Sequence, residues 1–290
     1  MTRRRSVLVL PGNSARMVAK AATITVDEVV LDLEDAVPPD PELKARARGQ
    51  LVEAALAQDF GDRRLAVRIN PVSGGAALED LLQVVTALGP RLHSVVVPKV
   101  VHPGEVAFVH HVLGSLAGGA EVGIQIQIEN AAGLAAVEQL AASSDRLEAL
   151  IFGPGDFAAS MGIPQLSIGG ADPAYPGDLW HYPLFRIAVA ARANSLQVLD
   201  GPYSALDDPA GLEAACRRGA ALGLDGKWVI HPAQLAAVNS AFTPSSEQLE
   251  GARALLTALA EGGARRMGGQ MVDEASRRLA LSILSRAGEG

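Results

Sequence analysis

The chain has one cysteine, Cys216, in 290 residues. A lone thiol builds neither an intramolecular disulfide framework nor a cysteine-held zinc site, and this usage fits a reducing cytoplasm. Net positive charge is missing too. With 25 Lys and Arg against 32 Asp and Glu, the formal charge is -7 and the pI near 5.4, which argues against nucleic acid as a partner, because phosphate binding needs a basic surface. Long apolar runs are also absent at the start: Val7 to Leu10 follows basic Arg3-Arg4-Arg5 but stops at Pro11-Gly12. Such a run is far too short for a signal-peptide core or a membrane span. The turn after it, Pro11-Gly12-Asn13-Ser14, lacks the glycine pattern of a dinucleotide-binding loop. No repeat or low-complexity stretch interrupts the chain. The expectation is a soluble cytoplasmic protein with no nucleic-acid or membrane partner.

What is present is 49% hydrophobic residues punctuated by 30 Gly and 17 Pro, enough for one large domain of many short elements. Short β-branched runs alternate with longer Ala- and Leu-rich amphipathic segments, the pattern of a parallel α/β fold. The runs are Ser6-Leu10, Glu28-Leu33, Arg64-Asn70, Ser94-Lys99, Gly123-Glu129, Leu150-Phe152, Leu196-Asp200 and Lys227-Ile230. Roughly eight such units predict a closed (β/α)8 TIM barrel rather than an open doubly wound sheet. Polar residues gather where the runs end: Asn13, Glu34-Asp35, Arg68 with Asn70, Lys99, Glu129, Asp156, Asp200 and His231. In a barrel these ends form one face, which carries the active site. The predicted barrel domain is 1–242. Residues 243–290 read as a C-terminal helical extension, with a capping signal at Ser245 and a helix from about Gln248.

Ile126-Gln127-Ile128-Glu129 and Leu150-Ile151-Phe152-Gly153-Pro154-Gly155-Asp156 each read as an apolar strand followed by one carboxylate. Two carboxylates at successive strand ends, leaving open coordination positions, suit Mg²⁺ shared with water and a chelating substrate. They point to a metal-assisted enzyme acting on a small oxo acid. The same residues admit plain roles, Glu129 as a helix cap and Asp156 as a turn residue.

Seven ordered blocks carry a resemblance: Leu8-Val9-Leu10-Pro11-Gly12-Asn13, Val30-Leu31-Asp32-Leu33-Glu34-Asp35-Ala36-Val37, Val67-Arg68-Ile69-Asn70, Val97-Pro98-Lys99, Ile128-Glu129-Asn130, Gly153-Pro154-Gly155-Asp156 and Gly226-Lys227-Trp228-Val229-Ile230-His231-Pro232. Together they resemble the citrate lyase β-subunit family, which includes malyl-CoA and citramalyl-CoA lyases. The resemblance implies a TIM barrel, Mg²⁺ (or Mn²⁺) on Glu129 and Asp156, and aldol cleavage or condensation of a β-hydroxyacyl-CoA thioester with a 2-oxo acid. It places Gly155 and Asp156 beside the substrate, Glu34 and Asp35 around the metal-bound water, and Arg16 and Lys20 toward the CoA phosphates.

Arg68 is the expected bidentate clamp on the oxo-acid carboxylate, and Lys99 shares its electrostatic environment or pairs with Glu34 or Glu129. Gln270-Met271-Val272-Asp273 is similar to the lid of malyl-CoA lyases, which implies that Asp273 acts as acid or base in a neighbouring subunit of a trimer or multiple of it. The Gly262-Gly263 and Gly268-Gly269 pairs would let that lid close. Glu274-Ala275-Ser276 departs from the family pattern here, and a helix cap is the plain alternative for Asp273. Thioester hydrolysis and a carrier-protein-dependent citrate lyase subunit are the competing functions. The histidines read as non-catalytic, with His231 in a structural hydrogen bond closing the barrel. Residues 161–180 are expected to shape the oxo-acid pocket.

Overall fold

A computed structural model describes residues 3–170, 175, 177–260 and 262–289. Eight parallel strands close into a barrel: β1 (Ser6–Pro11), β2 (Glu28–Asp32), β3 (Arg64–Arg68), β4 (Ser94–Val97), β5 (Gly123–Ile128), β6 (Leu147–Phe152), β7 (Gln197–Asp200) and β8 (Gly226–Val229). Pairing of Ser6, Val7 and Leu8 with Lys227, Trp228 and Val229 shuts the ring. Every predicted run overlaps a strand. β6 begins earlier than its apolar run, because half-buried Glu148 interrupts the hydrophobic signal without interrupting the ladder.

Alternation along each strand divides the side chains between two cores. Outward residues such as Val29, Leu31, Val67, Ile126 and Val198 pack under the helices, while Val7, Val30, Ala66, Val96, Ala149, Ile151, Leu199 and Trp228 fill the lumen. Below that apolar layer, Glu28 accepts from Arg4 (2.7 Å), Arg64 (3.3 Å) and Gln125 (2.6 Å), and Arg4 also contacts Glu148 and Gln197. Buried charges persist only when paired in this way. A hydrophobic layer and an ionic layer thus fill the lower barrel, leaving side chains at the C-terminal strand ends to form a site.

Beyond the barrel, the Ser246–Ala258 helix starts under a capping box of Ser245 and Gln248, slightly ahead of the predicted start. A short hairpin follows, β9 (Arg265–Met267) and β10 (Gln270–Val272), turned by Gly268-Gly269. That glycine pair, expected to loosen a lid, instead makes the tight turn of paired strands. The last helix, Glu274–Ala287, packs on the Ser246–Ala258 helix through Ala252, Ala280 and Leu284. Arg286 donates to the Gly223 carbonyl (3.0 Å), tying that helix to the loop before β8.

Candidate active site

Asp32 and Arg68 end neighbouring strands and are register partners. Arg68 Nε and one terminal nitrogen each donate to an Asp32 oxygen at 2.7 Å. The bidentate fork expected for the oxo acid is therefore committed to Asp32, a correction with a simple cause: the carboxylate one strand away is fixed in register within reach of both nitrogens. Arg68's other terminal nitrogen lies 3.0 Å from Glu34, 3.4 Å from Asp35 and 3.5 Å from Gln127. Burial opposes its charge, but the bonds from Asp32 and the charges of Glu34 and Asp35 outweigh that, so its pKa is raised. Asp32 was missed as a site residue. Its signal was present, a carboxylate inside Val30-Leu31-Asp32-Leu33.

The same Asp32 oxygens accept the N–H groups of Glu34 (2.9 Å) and Ala36 (3.0 Å), bending the chain after β2. Buried Lys44 completes the bend, its ammonium donating to the carbonyls of Leu33 (2.7 Å) and Glu34 (2.6 Å). Glu34 and Asp35 are thereby aimed at Lys99, which lies 2.5 Å from Glu34, 3.6 Å from Asp35 and 3.9 Å from Asp156. Lys99 adopts φ 55°, a left-handed conformation costly for a non-glycine residue. Its N–H donates to Glu129 at 2.7 Å, so pairing with Glu34 and bonding to Glu129 both occur.

Glu129 follows β5 and is 2% exposed. Gln127 donates to its second oxygen at 3.1 Å. Only glycine fits at position 153: an added Cβ would lie 2.4 Å from that oxygen. Burial, then the nearby charges of Asp156 and Glu34, push the Glu129 carboxyl up to about 8, against the opposing pull of Arg68 and the Lys99 N–H. Asp156 stands in the first turn of the Pro154–Met161 helix. Glu34 keeps one buried oxygen without a hydrogen bond, since the Arg68 nitrogen near it is poorly aligned.

A buried carboxylate held up by other carboxylates is the environment that a divalent cation reverses. The donor set fits such an ion, all oxygen and anionic. Among the described residues no three His, Cys, Asp or Glu side chains converge to hold a metal alone, so a metal here would share its shell with water and substrate.

A cavity of about 630 Å³ adjoins the cluster, lined by Glu34, Asp35, Lys44, Arg48, Asn70 and Lys99. A second, of about 390 Å³, runs along the Ala15–Ala21 helix between Leu8, Leu10, Ile24 and Ile230, with Arg16 and Lys20 on its wall.

Asp200 and His231 differ from expectation, and Asp273 lies apart from the cluster of its own chain. Asp273 caps the last helix, accepting from the N–H groups of Ala275 (2.9 Å) and Ser276 (3.2 Å), and makes no described hydrogen bond or ion pair with the acid cluster of its own chain. Asp200 points outward into a buried bond with Lys227 (2.6 Å). His231 is exposed and accepts from the Ala233 N–H at 3.2 Å, capping a turn rather than closing the barrel. Of the 161–180 segment, residues 171–174 and 176 lie outside the described residues.

Residues 5–232 match the HpcH/HpaI aldolase/citrate lyase family. An L-malyl-CoA/beta-methylmalyl-CoA lyase of Cereibacter sphaeroides is 37% identical over 98% of this chain and 94% of its own length. A (3S)-malyl-CoA thioesterase of the same species is 32% identical over 93% of this chain and 87% of its own. The crystal structure of the Mycobacterium tuberculosis protein CitE, in complex with magnesium, acetoacetate and coenzyme A, superposes with a TM-score of 0.79 at 30% identity, covering 99% of both chains.

Proposed function

Because the chain belongs to the HpcH/HpaI aldolase/citrate lyase family, we propose that it is a carbon–carbon lyase that cleaves or forms a β-hydroxyacyl-CoA thioester of the malyl-CoA or citramalyl-CoA type. The observation that carries this reading is Glu129 and Asp156 brought together at successive strand ends, beside Glu34, Asp35, Arg68 and Lys99. Magnesium or manganese held by Glu129 and Asp156 would supply Lewis-acid stabilisation of charge on the substrate oxygens.

Cleavage breaks the bond between the thioester α-carbon and the hydroxyl-bearing carbon. The hydroxyl proton passes to water, that carbon becomes the carbonyl of a 2-oxo acid (an aldehyde in glyoxylate, a ketone in pyruvate), and the electron pair of the broken bond passes into the thioester enolate. Arg68, locked by Asp32, contributes a fixed positive charge near the reacting oxygens through its remaining nitrogen. Lys99 balances Glu34 and Asp35, so the acid cluster holds together without excess repulsion. Arg16 and Lys20, which form no ion pair among the described residues, suit the CoA phosphates, and the apolar cavity beside them suits the pantetheine chain. Asp273 of a neighbouring copy protonates the enolate carbon, in a trimer or a multiple of one. Condensation runs the same steps backward.

The thioesterase relative supports a second reading, in which water releases free CoA from the same site. Product analysis with the isolated protein and malyl-CoA separates the two. Glyoxylate with acetyl-CoA is expected, lost in excess chelator and restored by Mg²⁺ or Mn²⁺. Malate with free CoA would establish the hydrolase, while activity only on a carrier-protein thioester would make the chain a citrate lyase subunit.

A further inference from the structure

On the lyase reading, the acid cluster meets the groups that all 2-oxo acids share. Glu34, Asp35, Arg68, Lys99, Glu129 and Asp156 are polar and ionisable, and none can measure the one group in which glyoxylate and pyruvate differ, a hydrogen against a methyl. That difference is apolar and needs an aliphatic contact near Asp156. Ile168 supplies one. It covers Gly155, the residue before Asp156: a Cβ added to Gly155 would lie 3.2, 3.4 and 3.5 Å from Ile168 Cδ1, Cγ1 and Cγ2. The Ile168 side chain is nevertheless left 38% exposed.

Exposed isoleucines on loops are ordinary, but this one is held in place from several sides. The Ile168 N–H donates to Ser204 Oγ (2.9 Å), and the Ser204 N–H donates back to the Ile168 carbonyl (3.1 Å). Gly169 presses on the loop after β7 with φ 78°, where a Cβ would lie 2.5 Å from the Pro202 carbonyl oxygen. The Gly170 carbonyl accepts from Gln165 (3.1 Å) and from the indole of buried Trp180 (2.7 Å). Tyr203, next to Ser204, is braced in turn, its hydroxyl donating to Asp208 (2.6 Å) and its carbonyl accepting from Gln234 (2.8 Å). These contacts fix the height of one aliphatic side chain above Gly155, which is what a size gauge requires.

Resting on the lyase reading above, we propose that Ile168 is the specificity-determining residue for the oxo acid. Its side chain limits the substituent on the keto carbon and favours glyoxylate over pyruvate. Shortening it makes room for the methyl. One methylene of pocket contact changes discrimination by roughly 10–200-fold, so Ile168→Ala should raise the pyruvate-to-glyoxylate ratio of kcat/KM by at least about tenfold, and Ile168→Val should shift it less in the same direction. Metal dependence and thermal midpoint should stay near wild type.

The test measures condensation of acetyl-CoA with each acid, together with calorimetric binding of each acid to the Mg²⁺-loaded protein without CoA. A ratio unchanged or moved toward glyoxylate in both variants overturns the assignment. If wild type binds both acids without forming product, the lyase reading fails, and the ratio of dissociation constants still decides the role of Ile168. If wild type binds neither acid, both fall.

Discussion

Glu129 is a carboxyl whose pKa is pushed to about 8 by burial and by the charges of Asp156 and Glu34. Its folded value lies above the ordinary 4.5, so the folded chain binds more protons than the unfolded chain between those values. The stability that this carboxyl contributes to the metal-free protein is therefore fully present below the unfolded pKa and is lost as pH rises through about 8. A cation competes with that proton. The rise in thermal midpoint on adding Mg²⁺ or Mn²⁺ should accordingly be small near pH 6 and large near pH 8.5, and Glu129→Gln should abolish both the metal-induced rise and turnover. Scanning calorimetry at the two pH values checks this, and an equal rise at both would remove Glu129 from the metal site.

Arg68 carries a separate residue-scale prediction. A lysine ammonium cannot span both Asp32 oxygens while facing Glu34 and Asp35. Arg68→Lys should cost about 1–3 kcal/mol of stability, through loss of one charge-assisted bond to Asp32, whose oxygens keep only the Glu34 and Ala36 N–H groups, and should lower kcat far more than it raises KM. Wild-type kcat in that variant would place Arg68 outside the chemistry. Arg68 was legible in the sequence as a bidentate fork at a strand end, expected on the oxo-acid carboxylate. The partner was not, because the Asp32–Arg68 match depends on inter-strand register that no local pattern encodes.

At the scale of elements, the eight strands were legible because period and turn residues are local signals. The hairpin of Arg265–Met267 and Gln270–Val272 was not, since three-residue strands carry too few alternations to register. The bend after β2 was likewise unreadable, because it depends on Lys44 returning from the Pro41–Leu56 helix, a contact set by tertiary packing. Lys44→Met keeps the length and apolar stem but leaves the Leu33 carbonyl without its donor, while the Glu34 carbonyl keeps the Val37 N–H at 3.2 Å. The cost should be about 1–3 kcal/mol in urea unfolding, the range for one unsatisfied buried group. Turnover should fall with it, since Glu34 and Asp35 lose their fixed backbone. Unchanged stability would mean that water replaces the ammonium and that Asp32 alone makes the bend.

At the scale of the whole molecule, the position of Asp273 separates fold from function. Within one chain it caps the Glu274–Ala287 helix, whose far end is tied by Arg286 to the Gly223 carbonyl just before β8, on the side of the barrel where strands begin. Glu129 and Asp156 lie where strands end. An aspartate so placed contributes to chemistry only if the chain assembles and its exposed Asp273 meets another copy's strand ends. Asp273→Asn and Glu129→Gln should each be nearly inactive alone, the first while still showing the metal-induced rise in thermal midpoint. Mixed under conditions that exchange subunits, the two should regain part of the activity, because some sites receive Glu129 and Asp156 from one chain and Asp273 from the next. A mixture that stays inactive after verified exchange would rule out action in trans. Full activity of Asp273→Asn by itself would leave that residue as the helix cap it forms within its own chain.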